Sequence, residues 1–306
     1  LTLAKRASAS RPRPSGTPRL DTSTALPTER DESSRWSSVT LQDQVAFGRG
    51  WHGVIALRHD RTSAVYAAAG TAPNRQSFTS PRLGVVYELT PRDTVYVQFQ
   101  DSVAANNGRN PADGAALAAE RARQVEAGYK TIALDGALHS TLAIYQLDKR
   151  NLADYSRFFG ENIISTIGKA RSRGLEWDVL GQLTPRLGVI ASYAYTDAAT
   201  DQGQRLANVA RHSGSLWARQ ALGPWALGGG VFFQGARAGD TGGSFTLPGY
   251  GRVDAMASYA FTALGLKGSV QLNIINVFDK VYFTGSHQLV QDLIAVGTPR
   301  TVSATL

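Results

Sequence analysis

The chain has 306 residues, with 32 Lys and Arg against 24 Asp and Glu, no Cys, one Met and 31 Gly. Its formal net charge of +8 is spread along the chain and falls largely in expected loops, which reads as loop and rim charge rather than a nucleic-acid surface. No Cys means no disulfide framework and no thiolate metal site, and no window approaches about 20 consecutive apolar residues, which excludes a transmembrane helix but not a membrane crossing by strands of about 10 alternating residues.

Residues 1–34 are rich in Pro, Ser, Thr and Arg and read as a polar extracellular loop or the end of an upstream strand. Residues 35–49 form the first clear strand, with Val39, Leu41, Val45 and Phe47 on one parity and Thr40, Gln42 and Gln44 on the other. Asp43 falls on the apolar parity. Further alternating runs follow at residues 51–60, 80–89, 94–100, 121–131, 137–149, 163–183, 186–197, 211–221, 225–235, 250–262, 266–276 and 300–306. The stretch at residues 168–185, GKARSRGLEWDVLGQLTP, shows the pattern clearly. Leu175, Trp177, Val179 and Leu183 share one side, and Glu176, Asp178, Leu180 and Gln182 the other.

This reading gives roughly thirteen strands, and their connections alternate in length. Short turns fall at residues 48–50, 90–93, 134–136, 184–186, 222–224 and 263–265, and long polar loops at 69–77, 101–120, 151–162, 198–209, 236–249 and 279–298. No helical segment is available to cover the apolar faces. The fold class expected is all-β, a transmembrane antiparallel β-barrel rather than a soluble sandwich, whose strands are shorter and whose loops need not alternate. Trp51 and Trp225 sit beside short turns, where an interfacial aromatic girdle belongs.

No catalytic constellation is present, so the protein is not expected to be an enzyme. The five histidines, His52, His59, His139, His212 and His287, lack metal-site spacing, and no metal site is expected. Gly228, Gly229 and Gly230 lie within a strand and suggest curvature or a close approach.

Several stretches, in order along nearly the whole chain, resemble the C-terminal half of TonB-dependent outer-membrane receptors of the ferric-siderophore class. They are SSVTLQDQVAF at residues 37–47, FTSPRLGVVYELTPRDTVYVQFQDS at 78–102, ERARQVEAGYK at 120–130, GKARSRGLEWDVLGQLTP at 168–185, LPGYGRVDAMASYAF at 247–261, LNIINVFDKVYF at 272–283 and GTPRTVSATL at 297–306. The resemblance implies the cell outer membrane of a Gram-negative bacterium. It also implies a 22-stranded barrel plugged by an N-terminal domain and uptake driven by a TonB energising complex that acts through that N-terminal region. The plug is absent here and the family's closing aromatic residue is not reached, so residues 35–306 are expected to be the last thirteen or so strands.

By alternation, Arg82, Glu88, Glu126, Lys130, Glu176, Asp178, Arg252 and Asp254 should face the lumen, as contacts of the plug or simply as a solvated wall. Tyr155, Phe158 and Phe159 could stack on a planar chelating group, and Arg157, Arg171 and Arg173 could attract an anionic ferric chelate, although loop packing and solubility explain these residues as well. Tyr282 and Phe283 are assigned to the aromatic girdle. The expected ligand is a transported ferric siderophore, with no directly bound cofactor, and the expected partners are outer-membrane lipid and the energising complex, with no nucleic acid. A receptor for another solute, such as cobalamin, another metal chelate or a glycan, and a passive porin are the competing readings.

Overall fold

A computed structural model describes residues 32–66, 73–105, 117–158, 161–263, 265–287 and 290–306. The strands in chain order are β1 (Glu32–Gly48), β2 (Trp51–Tyr66), β3 (Asn74–Glu88), β4 (Asp93–Ala104), β5 (Glu120–Ala133), β6 (Leu138–Phe158), β7 (Glu161–Thr184), β8 (Leu187–Thr200), β9 (His212–Leu222), β10 (Trp225–Gln234), β11 (Arg237–Ala238), β12 (Thr246–Leu247), β13 (Tyr250–Ala263), β14 (Leu266–Ile275), β15 (Phe283–His287), β16 (Val290–Val296) and β17 (Thr301–Thr305). Thirteen of them form one sheet in the order β1-β2-β3-β4-β5-β6-β7-β8-β9-β10-β13-β14-β17. Every neighbouring pair is antiparallel, as adjacent strands joined by hairpins must be. The thirteen main strands are the thirteen expected from alternation.

The short turns follow from local chemistry. Gly48, Arg49 and Gly50 all have positive φ, at 79°, 53° and 82°, and a Cβ at Gly50 would lie 2.9 Å from the Glu88 carbonyl oxygen. A left-handed, sterically tight corner of this kind selects glycine. Between β5 and β6 the connection is a single 3₁₀ turn over Leu134–Gly136.

The strands run longer than the alternation suggested. The segment expected as a loop at residues 151–162 belongs largely to the β6–β7 hairpin, whose pairing reaches Phe158 opposite Glu161. The other expected loops also carry structure: β11 and β12 pair within residues 236–249, and β15 and β16 pair within residues 279–298. Alternation stopped short of these extensions, where backbone pairing defines the strands.

The faces are set by an unbroken register. Trp51, Tyr87, Val95, Tyr129, Leu142, Trp177 and Tyr193 lie side by side across seven strands from β2 to β8. Trp51 stacks on Tyr87 with ring centroids 4.4 Å apart, and Trp225 on Tyr259 at 4.6 Å, both beside short turns. These pairs form the aromatic band expected there. The same face carries Leu41, Ile55, Ile144 and Val302, exposed by 75%, 56%, 57% and 60%. An apolar face that no protein layer covers, far larger than the few hundred Å² a soluble monomer tolerates, has lipid as its natural solvent.

The largest fully buried side chains lie elsewhere. Arg237, Leu247 and Asn276 are the largest fully buried side chains among the described residues. All three sit where the connections after β10 and β14 pack against each other.

Candidate functional site

The opposite face of the sheet is a polar wall. Arg82, Glu88, Glu126, Lys130, Glu176, Asp178, Arg252 and Asp254 all share the parity opposite to the aromatic band. Their partners build it in three tiers.

Nearest the short turns, His52 Nε2 lies 3.0 Å from Glu88 Oε1. Above it, Glu126 is the hub of a hydrogen-bonded patch. It accepts from Tyr96 Oη at 2.7 Å, Gln98 Nε2 at 3.0 Å and Gln124 Nε2 at 2.9 Å. Arg82 extends the patch by donating to Gln98 Oε1 at 3.1 Å. The Tyr96 ring lies over Gly128, where a Cβ would come within 2.4 Å of it, and the Lys130 ammonium sits 5.2 Å from the ring centroid. Three neutral donors thus fix the position of the Glu126 carboxylate.

Glu176 and Asp178 lie to one side of this patch. They line an open groove of about 360 Å³ together with Ser192, Ser215, Phe232 and Tyr250. Across its floor the Ser192 and Ser215 hydroxyls meet at 2.9 Å.

The third tier is at the long-loop end. Arg252 donates to Asp254 Oδ2 at 2.8 Å and to Tyr282 Oη at 3.2 Å, and its guanidinium lies 4.8 Å from the Phe232 ring centroid. Asp254 accepts in turn from the Asn276 N–H at 2.8 Å. Tyr282 is 4% exposed and packs on Tyr250 at 4.5 Å. This corrects its assignment to the girdle: the partners of Tyr282 are on the polar side, where Arg252 gives its hydroxyl a donor. Phe283 also belongs to this tier, where its carbonyl accepts from Arg237 at 2.8 Å.

Arg237 was not anticipated. It is 0% exposed, and its Nε and Nη1 have no hydrogen-bond partner among the described residues. A buried cation with spare donors is expensive, and this one borders a cavity of about 260 Å³ with Gln204, Arg205 and Phe245. The sequence signal was weak, since Arg237 sits in a Gly-rich segment that reads as any polar loop. The neighbouring connections are tied down by Asn208, which donates to the Ser286 carbonyl at 2.9 Å and accepts from the Ser286 N–H at 2.9 Å. Beside them Asp240 accepts from the Ser244 hydroxyl and, at 2.8 Å, from the Ser244 N–H, and these bonds hold its carboxyl below the usual carboxylate range.

Phe159 lies outside the described residues, and only the backbone of Tyr155, Arg157 and Phe158 is described, at the tip of β6. Arg171 and Arg173 occupy the parity of Leu175 and Trp177, so they sit on the apolar face above the belt and not on the polar wall. Arg171 pairs with Asp148 at 2.7 Å and Arg173 with Asp197 at 3.5 Å, both on that same face. Their spacing of two and four residues from Leu175 already carried this information.

Residues 5–277 match the family model described as the TonB dependent receptor-like β-barrel. The chain belongs to this family. It is 35% identical over 296 residues to the metal-pseudopaline receptor CntO of Pseudomonas aeruginosa, covering 88% of this chain and 40% of that one. It is 33% identical over 266 residues to the ferrichrome outer membrane transporter/phage receptor of Escherichia coli K12, covering 80% of this chain and 34% of that one. Among solved structures, BauA, the ferric preacinetobactin receptor of Acinetobacter baumannii, superposes with a TM-score of 0.77 over 89% of this chain and 42% of that one, at 21% identity. The chain therefore spans about 40% of the length of such relatives. The thirteen-stranded sheet is part of a barrel wall of this family, with one aromatic face and one polar face.

Proposed function

We propose that the protein of which this chain is the barrel wall is an outer-membrane receptor for TonB-dependent uptake of a ferric siderophore. The observation that carries this reading is the family membership, joined to relatives that are themselves named as receptors for metal chelates. The polar wall supports it. Glu126, Lys130, Glu176 and Asp178 line the lumen below the loops, where they would meet a plug or the passing ligand. In the third tier Arg237, with its unspent N–H donors beside a cavity shared with Arg205, would receive oxygen donors of an anionic chelate. Tyr155, Arg157, Phe158 and Phe159 at the β6–β7 tip complete the proposed binding surface, and the ligand itself carries the iron.

The test is growth and radiolabelled iron uptake by an iron-starved strain lacking its own receptors and carrying the full-length gene, across a panel of ferric siderophores. Rescue on at least one chelate that disappears when TonB is deleted is the expected result. Rescue on none, with expression that ignores iron, would overturn the reading. The 35% identity to a metal-pseudopaline receptor favours a second reading, a chelate of another metal. Uptake of a labelled non-ferric metal with pseudopaline, with no ferric rescue, would select it.

A further inference from the structure

One cavity at the long-loop end gathers positive charge and holds nothing to balance it. It measures about 260 Å³ and lies between the β8–β9 and β10–β13 connections, bordered by Gln204, Arg205, Arg237, Thr241, Phe245 and Thr246. Two cations border it and, among the described residues, no carboxylate does. The Arg237 side chain is 0% exposed. Its Nη2 donates to the Phe283 carbonyl at 2.8 Å, while Nε and Nη1 have no hydrogen-bond partner among the described residues. Neither Arg205 nor Arg237 forms an ion pair among them. The acid nearest Arg237 in sequence, Asp240, is committed to the Ser244 hydroxyl and N–H.

Charge and size decide what such a cavity accepts. Tyr250 gives Arg237 only weak relief, with its ring centroid 6.0 Å from the guanidinium carbon. A water molecule would accept from the idle N–H groups but leave the charge unbalanced, and burial penalises both. An anionic oxygen group satisfies both at once. Sites that enclose a whole ligand measure about 300–1,000 Å³, so this smaller space admits one arm of a chelate and not its body. Ala238 and Phe245 add an apolar border suited to a short stem. The walls are held in place by the protein itself. Arg237 pairs with Leu247 and Ala238 with Thr246. The Asn208 N–H donates to the Ala238 carbonyl and the Gly239 N–H to the Phe245 carbonyl, each at 2.9 Å. The Ser286 hydroxyl donates to the Gly239 carbonyl. A site built in advance loses little affinity to ordering.

We propose that this cavity binds a carboxylate group through Arg237, with Arg205 at its border, and that the group is a free arm of the carried chelate, outside the donors that hold the metal. The carboxylate oxygens accept from the Arg237 N–H groups that the fold leaves idle, and the stem lies along Phe245. The source of the carboxylate rests on the uptake reading above. The carboxylate site itself does not.

The test titrates trifluoroacetate, and its neutral counterpart trifluoroacetamide, into the full-length receptor in detergent micelles and reads binding by fluorine NMR. Wild type should bind trifluoroacetate saturably and trifluoroacetamide at least about 10-fold more weakly, and Arg237→Gln should weaken trifluoroacetate by about 10- to 100-fold. Arg205→Gln should weaken it in the same direction. Should Arg237→Gln fail to fold, Arg205→Gln and the two probes on wild type decide. Equal binding of the two probes by wild type, or trifluoroacetate binding that neither variant weakens, overturns the carboxylate site. An Asp or Glu of the full-length receptor seated on Arg237 in its structure overturns it as well. The ferric chelates that support growth then test the source. A chelate with a free carboxylate should bind Arg237→Gln about 10- to 100-fold more weakly than wild type, and its methyl ester should bind the two alike. Chelate affinities that Arg237→Gln leaves unmoved, with trifluoroacetate binding lost, would make this a free-anion site and overturn the assignment to the cargo. Growth rescue by no chelate refutes the uptake reading and the cargo assignment together, while the trifluoroacetate comparison decides the site independently.

Discussion

Asn276 makes three side-chain hydrogen bonds at the long-loop end, and replacing it by Ala gives a sharp test of how the last connections are held. It is 1% exposed with φ of 56°. Its Nδ2 donates to the Lys280 carbonyl at 2.9 Å and the Thr298 carbonyl at 3.0 Å, and its Oδ1 accepts from the Lys280 N–H at 3.0 Å. Three hydrogen bonds at about 1 kcal/mol net each give about 3 kcal/mol, with no water able to take over at a buried site. An Ala held at left-handed φ adds about 1 kcal/mol, so Asn276→Ala should cost about 4 kcal/mol. Asn276→Gly should cost about 3 kcal/mol, because glycine tolerates that φ but makes none of the bonds. Urea unfolding of the full-length receptor in vesicles measures the global cost, and limited proteolysis between residues 277 and 298 reads local release of the segment that Asn276 bridges. If both variants unfold within about 1 kcal/mol of wild type and the segment stays protected, the hydrogen-bond reasoning is wrong.

Other consequences are as direct. A Cβ at Gly230 would lie 2.5 Å from the Trp217 ring and 2.6 Å from the Leu216 carbonyl, whereas one at Gly229 meets nothing nearer than 3.6 Å. By the same unfolding assay Gly230→Ala should therefore lose about 1–3 kcal/mol and Gly229→Ala almost nothing; equal effects would contradict the packing. Of the five tryptophans, the register puts Trp51, Trp177 and Trp225 on the lipid face and Trp36 and Trp217 on the polar wall. In single-Trp variants brominated lipid should quench the first three strongly and the other two weakly, and uniform quenching would refute the face assignment. The depressed carboxyl of Asp240 stabilises its loop above the ordinary Asp range, and that support is lost as pH falls through the folded value, below about pH 4. Hydrogen exchange at residues 240–244 should rise on acidification in wild type, with a smaller rise in Ser244→Ala. Identical pH profiles would remove Ser244 as the cause.

The barrel wall was legible because alternation is a two-dimensional message. Leu83, Val85 and Tyr87 fix their own face, and the lengths of the turns then fix the faces of their neighbours. Strand ends were less legible: Ile164 fell within the expected strand, while its partner Tyr155 lay in a segment read as loop. The site was legible only in part. The charges of the polar wall followed from parity, but Arg237, Asn276 and Tyr282 acquire their surroundings from connections far apart in sequence, such as Asn208 with Ser286 and Asp254 with Asn276. No local pattern encodes such meetings.

The unbroken register also sets the rules by which such a protein can diversify. One residue gained within β4 would bring Gln98 and Gln100 into the membrane and turn Val97 and Phe99 into the channel, and the error would pass to every strand paired beyond it. Two of the register shifts in the large sheet lie beside short turns, at Ala46/Gly48 and Gln182/Thr184, and the others, Arg150/Leu152 and Leu152/Ala153, lie in the β6–β7 hairpin above the apolar belt. Lineages of this wall can therefore drift by substitution throughout but by insertion only at the tips. A change in the cargo such a receptor accepts is thereby channelled into the loops, while the frame that presents them keeps its length.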